Sequence, residues 1–151
     1  KGSIVIIQDA DLEYSPKDFK KLIKPINDKK YKVVYGSRVL GKNRYFNNEF
    51  SSIFRVFANH ILTIISNILN NQTLTDAHTC YKVFDAQFFK KIKLEEKGFS
   101  FCPEVTTKVS MLNEKIKEVS VSYKGRDYSE GKKINFKDGI IALKTLLKYR
   151  F

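Results

Sequence analysis

Apolar positions along the chain come in two rhythms, short unbroken runs and longer stretches with helical spacing. The first run, Ile4-Val5-Ile6-Ile7, is β-branched and stops at a cluster of acids. Such a run predicts a strand buried on both faces, as in a parallel sheet covered by helices. Ser15-Pro16 then predicts a helix start, with Phe19, Leu22, Ile23 and Ile26 on one face and Pro25 ending or kinking it near Lys24. Tyr31 to Tyr35 predicts a second strand, leading into Gly36-Ser37-Arg38. A long helix is expected from about Asn48 to Asn70, its stripe formed by Phe50, Ile53, Phe54, Phe57, Ile61, Ile64, Ile65 and Ile68. A core helix is the expectation for that stripe; a helix lying at a membrane surface or gripping a lipid tail is the sharper alternative.

Further on, Asp85 caps a helix carrying Phe88, Phe89 and Ile92, and Phe99-Ser100-Phe101 alternates like a short strand. Pro103-Glu104 opens a helix through Val105, Val109 and Leu112. Ile116 to Tyr123 alternates as a strand solvated on one face. Phe136 to Tyr149 closes the chain as an amphipathic helix with Ile140, Leu143, Leu146 and Leu147 on one side. The strand–helix–strand order predicts an α/β fold, a mostly parallel sheet flanked by helices with a right-handed crossover.

Composition changes this picture in two ways. With 151 residues, 42% hydrophobic and 29% charged, the chain fits one ordinary soluble domain with a real core. A net charge of +12 points to anionic partners: nucleotide phosphates, lipid phosphates or an acidic membrane surface. The aromatics lack the motif of an RNA-binding sheet, so no nucleic-acid partner is expected. Cys80 and Cys102 make no disulfide framework and fit a reducing cytoplasm. Lys1, directly before a core strand, reads as the start of a fragment whose front part is missing.

The candidate chemistry begins at Asp9, Asp11 and Glu13, at the carboxyl end of the first strand, where ligands bind in open α/β sheets. Three crowded carboxylates repel one another unless a cation or proton neutralises them, and hard oxygen ligands suit Mg²⁺ or Mn²⁺. A lone D-x-D is nonetheless more often a solvated acidic turn. Arg38 belongs at the same sheet edge, where it could clamp a phosphate bidentately. Asp76 and His78 fall in a polar loop, His78 being read as solvated. The stretch from Tyr123 to Lys133 has two glycines with Arg126, Lys132 and Lys133, a set that could close over phosphates.

Taken together, Gln8-Asp9-Ala10-Asp11-Leu12-Glu13-Tyr14, Thr79-Cys80-Tyr81-Lys82-Val83-Phe84 and Tyr123 to Ile134 resemble the family 2 glycosyltransferases, and most closely their bacterial dolichyl-phosphate mannose synthase-like branch. The resemblance implies a single partial catalytic domain over 1–151, the C-terminal portion of a GT-A (Rossmann-like) domain, moving a sugar from a nucleotide-sugar donor to a polyprenyl phosphate lipid or a glycan. It implies Asp9, Asp11 and Glu13 as ligands for Mg²⁺ or Mn²⁺ on the donor diphosphate, and Asp76 as the catalytic acidic residue near the acceptor: a general base for the attacking oxygen, or a positioning group if the acceptor is an already anionic lipid phosphate. Arg38, Arg126, Lys132 and Lys133 would bind phosphates, with Glu104 and His78 on the acceptor side. The family usually carries an acid where Cys102 stands and often one where His78 stands. The implied location is cytoplasmic, peripheral at the inner membrane surface, with a homo-oligomer left open. The 151-residue chain alone is expected to turn over little or nothing. Two rivals are a non-catalytic cationic module that binds membranes or phosphates, and a D-x-D phosphatase, against which Glu13 argues.

Overall fold

A computed structural model describes residues 2–42, 53–126 and 136–151. Four strands, β1 (Ile4–Ile7), β2 (Val33–Ser37), β3 (Lys82–Asp85) and β4 (Ile116–Ser120), form one sheet in the order β1-β3-β2-β4. The helices are α1 (Phe19–Asn27), α2 (Ile53–Asn70), α3 (Ala86–Phe89), α4 (Phe101–Met111) and α5 (Phe136–Arg150). β2 pairs in parallel with β4, while β3 runs antiparallel to both β1 and β2. β1, β2 and β4 therefore point the same way, and β3 is the reversed strand between the first two. The sheet is mixed and flanked by helices.

Pleating splits the core in two. Val33, Tyr35 and Phe84 face Val105 and Val109 of α4 together with Phe88 and Ile92. Val34 and Val83, their neighbours in sequence, face Leu22 and Ile26 of α1 with Tyr14, Tyr81, Val121 and Tyr123. This is the period-two alternation of a sheet covered on both sides. α2 and α5 pack against α4 and against each other, outside that inner layer.

Several elements depart from the pattern-based expectation. β1 is half-buried along its length, not buried on both faces, because it lies at the margin of the described sheet. β3, which the hydrophobic pattern does not predict because its apolar run is only Val83-Phe84, separates β1 from β2. Pro25 sits inside α1, which runs on to Asn27; near the helix end its missing N–H costs little. Residues 98–100 form a single 3₁₀ turn leading into α4 instead of a short strand. In α5 the buried side is Ala142, Thr145 and Leu146, whereas Ile140 and Leu147 are exposed.

α2 departs furthest. Its described buried positions are Val56, Thr63, Ser66 and Asn70, mostly polar. Ile53, Phe54, Phe57, Ile61, Ile64 and Ile68, expected in the core, are 42% to 75% exposed. Hydrogen bonding explains the inversion. Thr63 Oγ1 accepts from the Ala77 amide, Asn67 exchanges two bonds with the Leu74 backbone, and the Asn70 carbonyl accepts from Ser110. The helix turns its polar stripe inward because the 74–77 segment lacks a ladder of its own and needs partners.

One glycine fixes how closely the layers approach. A Cβ on Gly36 of β2 would come within 2.7 Å of Val121 Cγ1 and 2.9 Å of Tyr81 Cβ. Gly36→Ala is expected to destabilise the chain by about 1–3 kcal/mol, the usual range for overpacking, read as a lower urea midpoint at unchanged slope. An unchanged midpoint would mean that the β2 end is looser than its contacts indicate.

Candidate functional site

Two groups of polar side chains meet at the carboxyl ends of β1 and β2. The first is centred on Asp76, which is fully buried. Arg38 grips it bidentately: Nε donates to Oδ2 at 2.6 Å and the terminal NH2 to Oδ1 at 2.8 Å. The Arg38 amide donates to Oδ2 at 3.1 Å, and Asn59 of α2 donates to Oδ1 at 3.1 Å. Burial favours the protonated acid, but the Arg38 guanidinium outweighs it and holds the Asp76 carboxyl well below the usual carboxylate range. For Arg38 burial opposes the charge, and Asp76 more than offsets that.

Glu118 of β4 supports the loop beneath. Its carboxylate accepts from the Thr75 amide and hydroxyl at 2.8 Å each and from the Asp76 amide at 2.9 Å. Burial pushes its own proton affinity up. Ser37 Oγ, 2.6 Å from Thr75 Oγ1, accepts from the amides of Val39 and Leu40 and shapes the turn that delivers Arg38.

The second group lies at the end of β1. Asp9 is exposed, and its amide donates to Cys80 Sγ at 2.9 Å. Asp11 Oδ1 accepts from the Glu13 amide at 3.2 Å across Leu12, whose φ of 61° is left-handed. That bond is what a short acid at the head of a tight turn supplies. Arg126 reaches this turn from the other end of the sequence, its NH2 3.3 Å from Asp11 Oδ2 and its amide 3.0 Å from Glu13 Oε1.

Tyr123 joins the two groups. Its hydroxyl donates to Glu13 Oε2 at 3.1 Å, and the Arg38 guanidinium lies over its ring at 5.1 Å. The site is thus a chain of contacts, Asp76–Arg38–Tyr123–Glu13–Arg126–Asp11, running across the ends of two parallel strands.

The residues singled out by sequence divide unequally over this arrangement. Asp11, Glu13, Arg38, Asp76 and Arg126 are brought together, while Asp9 stands exposed at the end of β1 with its amide on Cys80 Sγ. Glu13 is buried and accepts from Tyr123 and Arg126, so it anchors the 123–126 segment and presents no open face to a cation. Glu104 is fully buried elsewhere: its carboxylate accepts from the Glu95 and Glu96 amides at 2.8 and 2.9 Å and from Lys108 at 2.7 Å. Those bonds tie α4 to the preceding loop. His78 is half-buried, not a solvated loop residue. Its Nε2 is buried with no hydrogen-bond partner, and burial, then Lys82, push its imidazole down to about 4. Lys132 and Lys133 lie outside the described residues.

Sequence reasoning missed Asn59, Glu118, Tyr123 and Lys82. Lys82 is fully buried, its ammonium 3.3 Å from Cys102 Sγ and 4.6 Å from the centre of the Tyr35 ring. Asn59 had a signal, the polar series 59, 63, 66, 70 at helical spacing; Glu118 had none, since an acid in an alternating strand reads as solvated. Cys80 and Cys102 are free. Burial pushes the Cys80 thiol up to about 12, so it is inert.

A divalent cation fits part of this donor set. Among the described residues no three His, Cys, Asp or Glu side chains converge as a cage. Asp9 and Asp11 supply two carboxylates on an open turn, the number a magnesium site takes from protein when phosphate oxygens and water complete it. Glu13 does not fit, being saturated by its donors.

Comparisons with known proteins identify a family. The description Glycosyl transferase family 2 matches residues 1–93. An uncharacterized protein of Methanocaldococcus jannaschii is 28% identical over 151 residues, covering 97% of this chain and 60% of that protein. The low-salt glycan biosynthesis hexosyltransferase of Haloferax volcanii is 23% identical over 139 residues, covering 92% of this chain and 33% of that protein. The chain therefore spans 60% or less of the length of these relatives.

Proposed function

The chain belongs to glycosyl transferase family 2, and from that premise we propose that it moves a sugar from a nucleoside-diphosphate donor to a polyprenyl phosphate at the cytoplasmic face of the membrane. We place it in the branch resembling bacterial dolichyl-phosphate mannose synthases. Family membership argues against a D-x-D phosphatase.

The observation that carries the choice of acceptor is the bonding of Asp76. A general base must be free to take a proton and needs a proton affinity near the working pH. Asp76 accepts from three Arg38 donors and from Asn59, and its proton affinity is strongly lowered. It is suited to holding Arg38 in place, not to deprotonating a sugar hydroxyl. A phosphate oxygen arrives already ionised and needs no base, so this site fits a phosphate acceptor better than a glycan hydroxyl. Arg38, its side chain 15% exposed and stacked on Tyr123, would orient that acceptor through the guanidinium.

Asp9 and Asp11 would hold the divalent cation, Mg²⁺ or Mn²⁺, which when bound neutralises charge on the departing nucleoside diphosphate. Arg126, a third exposed on its side chain, would meet the same diphosphate, with Glu13 and Tyr123 fixing its backbone. In the transfer, the bond from the anomeric carbon to the diphosphate oxygen breaks. The acceptor oxygen forms the new bond, and the electron pair leaves with the diphosphate.

Titration calorimetry of the intact protein with a nucleoside diphosphate and Mn²⁺ tests the reading. Binding is expected to require the metal and to weaken at least tenfold in Asp9→Asn and in Asp11→Asn. Binding indifferent to the metal and to both substitutions would overturn it and favour the non-catalytic cationic module.

A further inference from the structure

Lys82, the first residue of β3, is fully buried, yet its charge has no opposite. Among the described residues its ammonium donates to the Thr79 carbonyl and to Cys102 Sγ at 3.3 Å, and it lies 4.6 Å from the centre of the Tyr35 ring; no carboxylate pairs with it. Asp76, in the loop ahead of it, is paired with Arg38, and the His78 ring is neutral at physiological pH. A buried ammonium without a counter-ion is costly, and an aromatic face and a sulfur offset only part of that cost. The domain would gain by losing this charge, and the group at which the ammonium points is a thiol.

Cys102 is the second residue of α4. Its thiol donates to the same Thr79 carbonyl at 3.8 Å, so one acceptor holds amine and thiol side by side. The sulfur has what makes a cysteine sensitive to peroxide: a lysine bonded to it, a helix N-terminus at its base, and a half-buried position that a small oxidant can reach. Cys80 differs. Burial pushes its thiol up to about 12, and it packs on the α1 side of the sheet, whereas α4 carries Cys102 on the other.

We infer that Cys102 and Lys82 form an oxidation site, at which a peroxide closes a covalent sulfur–nitrogen bridge between α4 and β3. The step balances with one peroxide. The Cys102 sulfur attacks a peroxide oxygen, the O–O bond breaks, and a sulfenic acid and water result, the sulfur being oxidised and the peroxide reduced. The Lys82 nitrogen, having released a proton to solvent, then attacks that sulfur. An S–N bond forms, the S–O bond breaks, and the oxygen leaves as water with a second proton from the nitrogen. The bridged nitrogen is neutral and keeps one N–H for the Thr79 carbonyl. The buried charge is gone, and the loop that carries Asp76 and His78 is tethered at its far end to α4.

Hydrogen peroxide added to the folded chain, followed by blocking of free thiols and peptide mapping by mass spectrometry, tests this. A linked pair of peptides holding Lys82 and Cys102, lighter than their sum by two hydrogen atoms, is expected, and dithiothreitol should release it. The oxidised chain should melt several degrees above the reduced one, and dithiothreitol should reverse the shift. Met111, which is exposed, takes up its own oxygen and is read separately in the map. Cys102→Ser should form no bridge and show no shift in melting. Cys80→Ser should form the bridge as the parent does, which separates it from a disulfide of equal mass loss. Lys82→Met, which removes the charge and keeps an apolar stem, should leave Cys102 carrying oxygen only. The parent treated in concentrated urea should give at least tenfold less bridge, a control that needs no folded variant. Cys102 recovered from the folded parent unmodified, or only as its oxygen acids, would overturn the inference. So would a bridge that Cys80→Ser abolishes, or one that forms as readily in urea.

Discussion

Asp76→Ala is expected to lower the unfolding free energy by about 3–5 kcal/mol, the cost of leaving a buried charge without its partner. The whole stability of a domain this size is typically only about 5–15 kcal/mol, so the variant should be close to unfolding at physiological temperature. The loss comes from what remains. Arg38 is 15% exposed and loses both of its charge-assisted bonds, and its amide loses an acceptor. Asn59 is left pointing at a cavity, and Glu118 keeps a loop that no longer has its centre. A double substitution separates the pair from its members. Asp76→Ala with Arg38→Met removes both charges, and since a buried ion pair is often no better than packed apolar groups, most of the lost stability should return. Urea unfolding of the three variants reads this directly as shifts in midpoint at constant slope. A loss below about 1 kcal/mol in the single variant would show that water reaches Arg38 freely and that the pair is a surface one. Because the single substitution unfolds the site, its effect on transfer cannot by itself assign Asp76 a role. Asp76→Asn, which keeps the shape and can still accept from Arg38, is the variant in which activity should be read.

The parts of this site that were legible in the sequence are those fixed by local order. Asp9 and Asp11 follow an apolar run, and Arg38 follows a strand, so their place at strand ends needs only the direction of the chain. The pairing of Arg38 with Asp76 spans 38 residues and depends on β3 entering between β1 and β2, which no local pattern shows. Glu13 looked like Asp9 and Asp11 in sequence, yet Tyr123 and Arg126 come to it from more than a hundred residues away and occupy its oxygens. Glu104 suffered the same fate within nine residues, because the loop before α4 turns its amides toward the helix.

α2 failed for another reason. Its apolar stripe has faultless helical spacing, and spacing alone cannot tell which side faces the protein. The decision belongs to the 74–77 backbone: Glu118 takes the amides of Thr75 and Asp76, and the groups of Leu74 and Ala77 find their polar partners on the Asn59–Asn70 side of the helix. The same series of polar residues carried that information in the sequence, but its meaning depends on a loop that has to be placed first.

Acidification provides the second large effect, through His78. Its imidazole titrates near 6.5 in an unfolded chain and about 4 in the fold, where burial and the nearby Lys82 and Arg38 charges outweigh the favourable Asp76. Above pH 6.5 the ring is neutral in both states and contributes nothing to the pH dependence. Between 6.5 and 4 the unfolded chain takes up a proton that the folded chain refuses, so stability falls as the pH falls, and it levels off below 4. From pH 7 to pH 5 the loss attributable to this one group is about 2 kcal/mol. Other groups titrate nearby with distinguishable signs. Glu118, pushed up by burial, gains a proton in the fold and works in the opposite direction. Asp76 and Glu104, held down by Arg38 and Lys108 against their burial, lose their contribution only at more acid pH. His78→Gln isolates the term: denaturation at pH 7 and pH 5 should show a difference about 2 kcal/mol smaller in the variant than in the parent. Identical differences would mean that His78 is protonated in the fold, with a counter-charge or water beside Nε2. At neutral pH the neutral ring stands beside Lys82 and the Arg38–Asp76 pair without adding a charge. Under the function proposed above, a neutral ring here, where the resemblance leads one to expect an acid, leaves the local charge more positive, in the direction that favours an anionic acceptor.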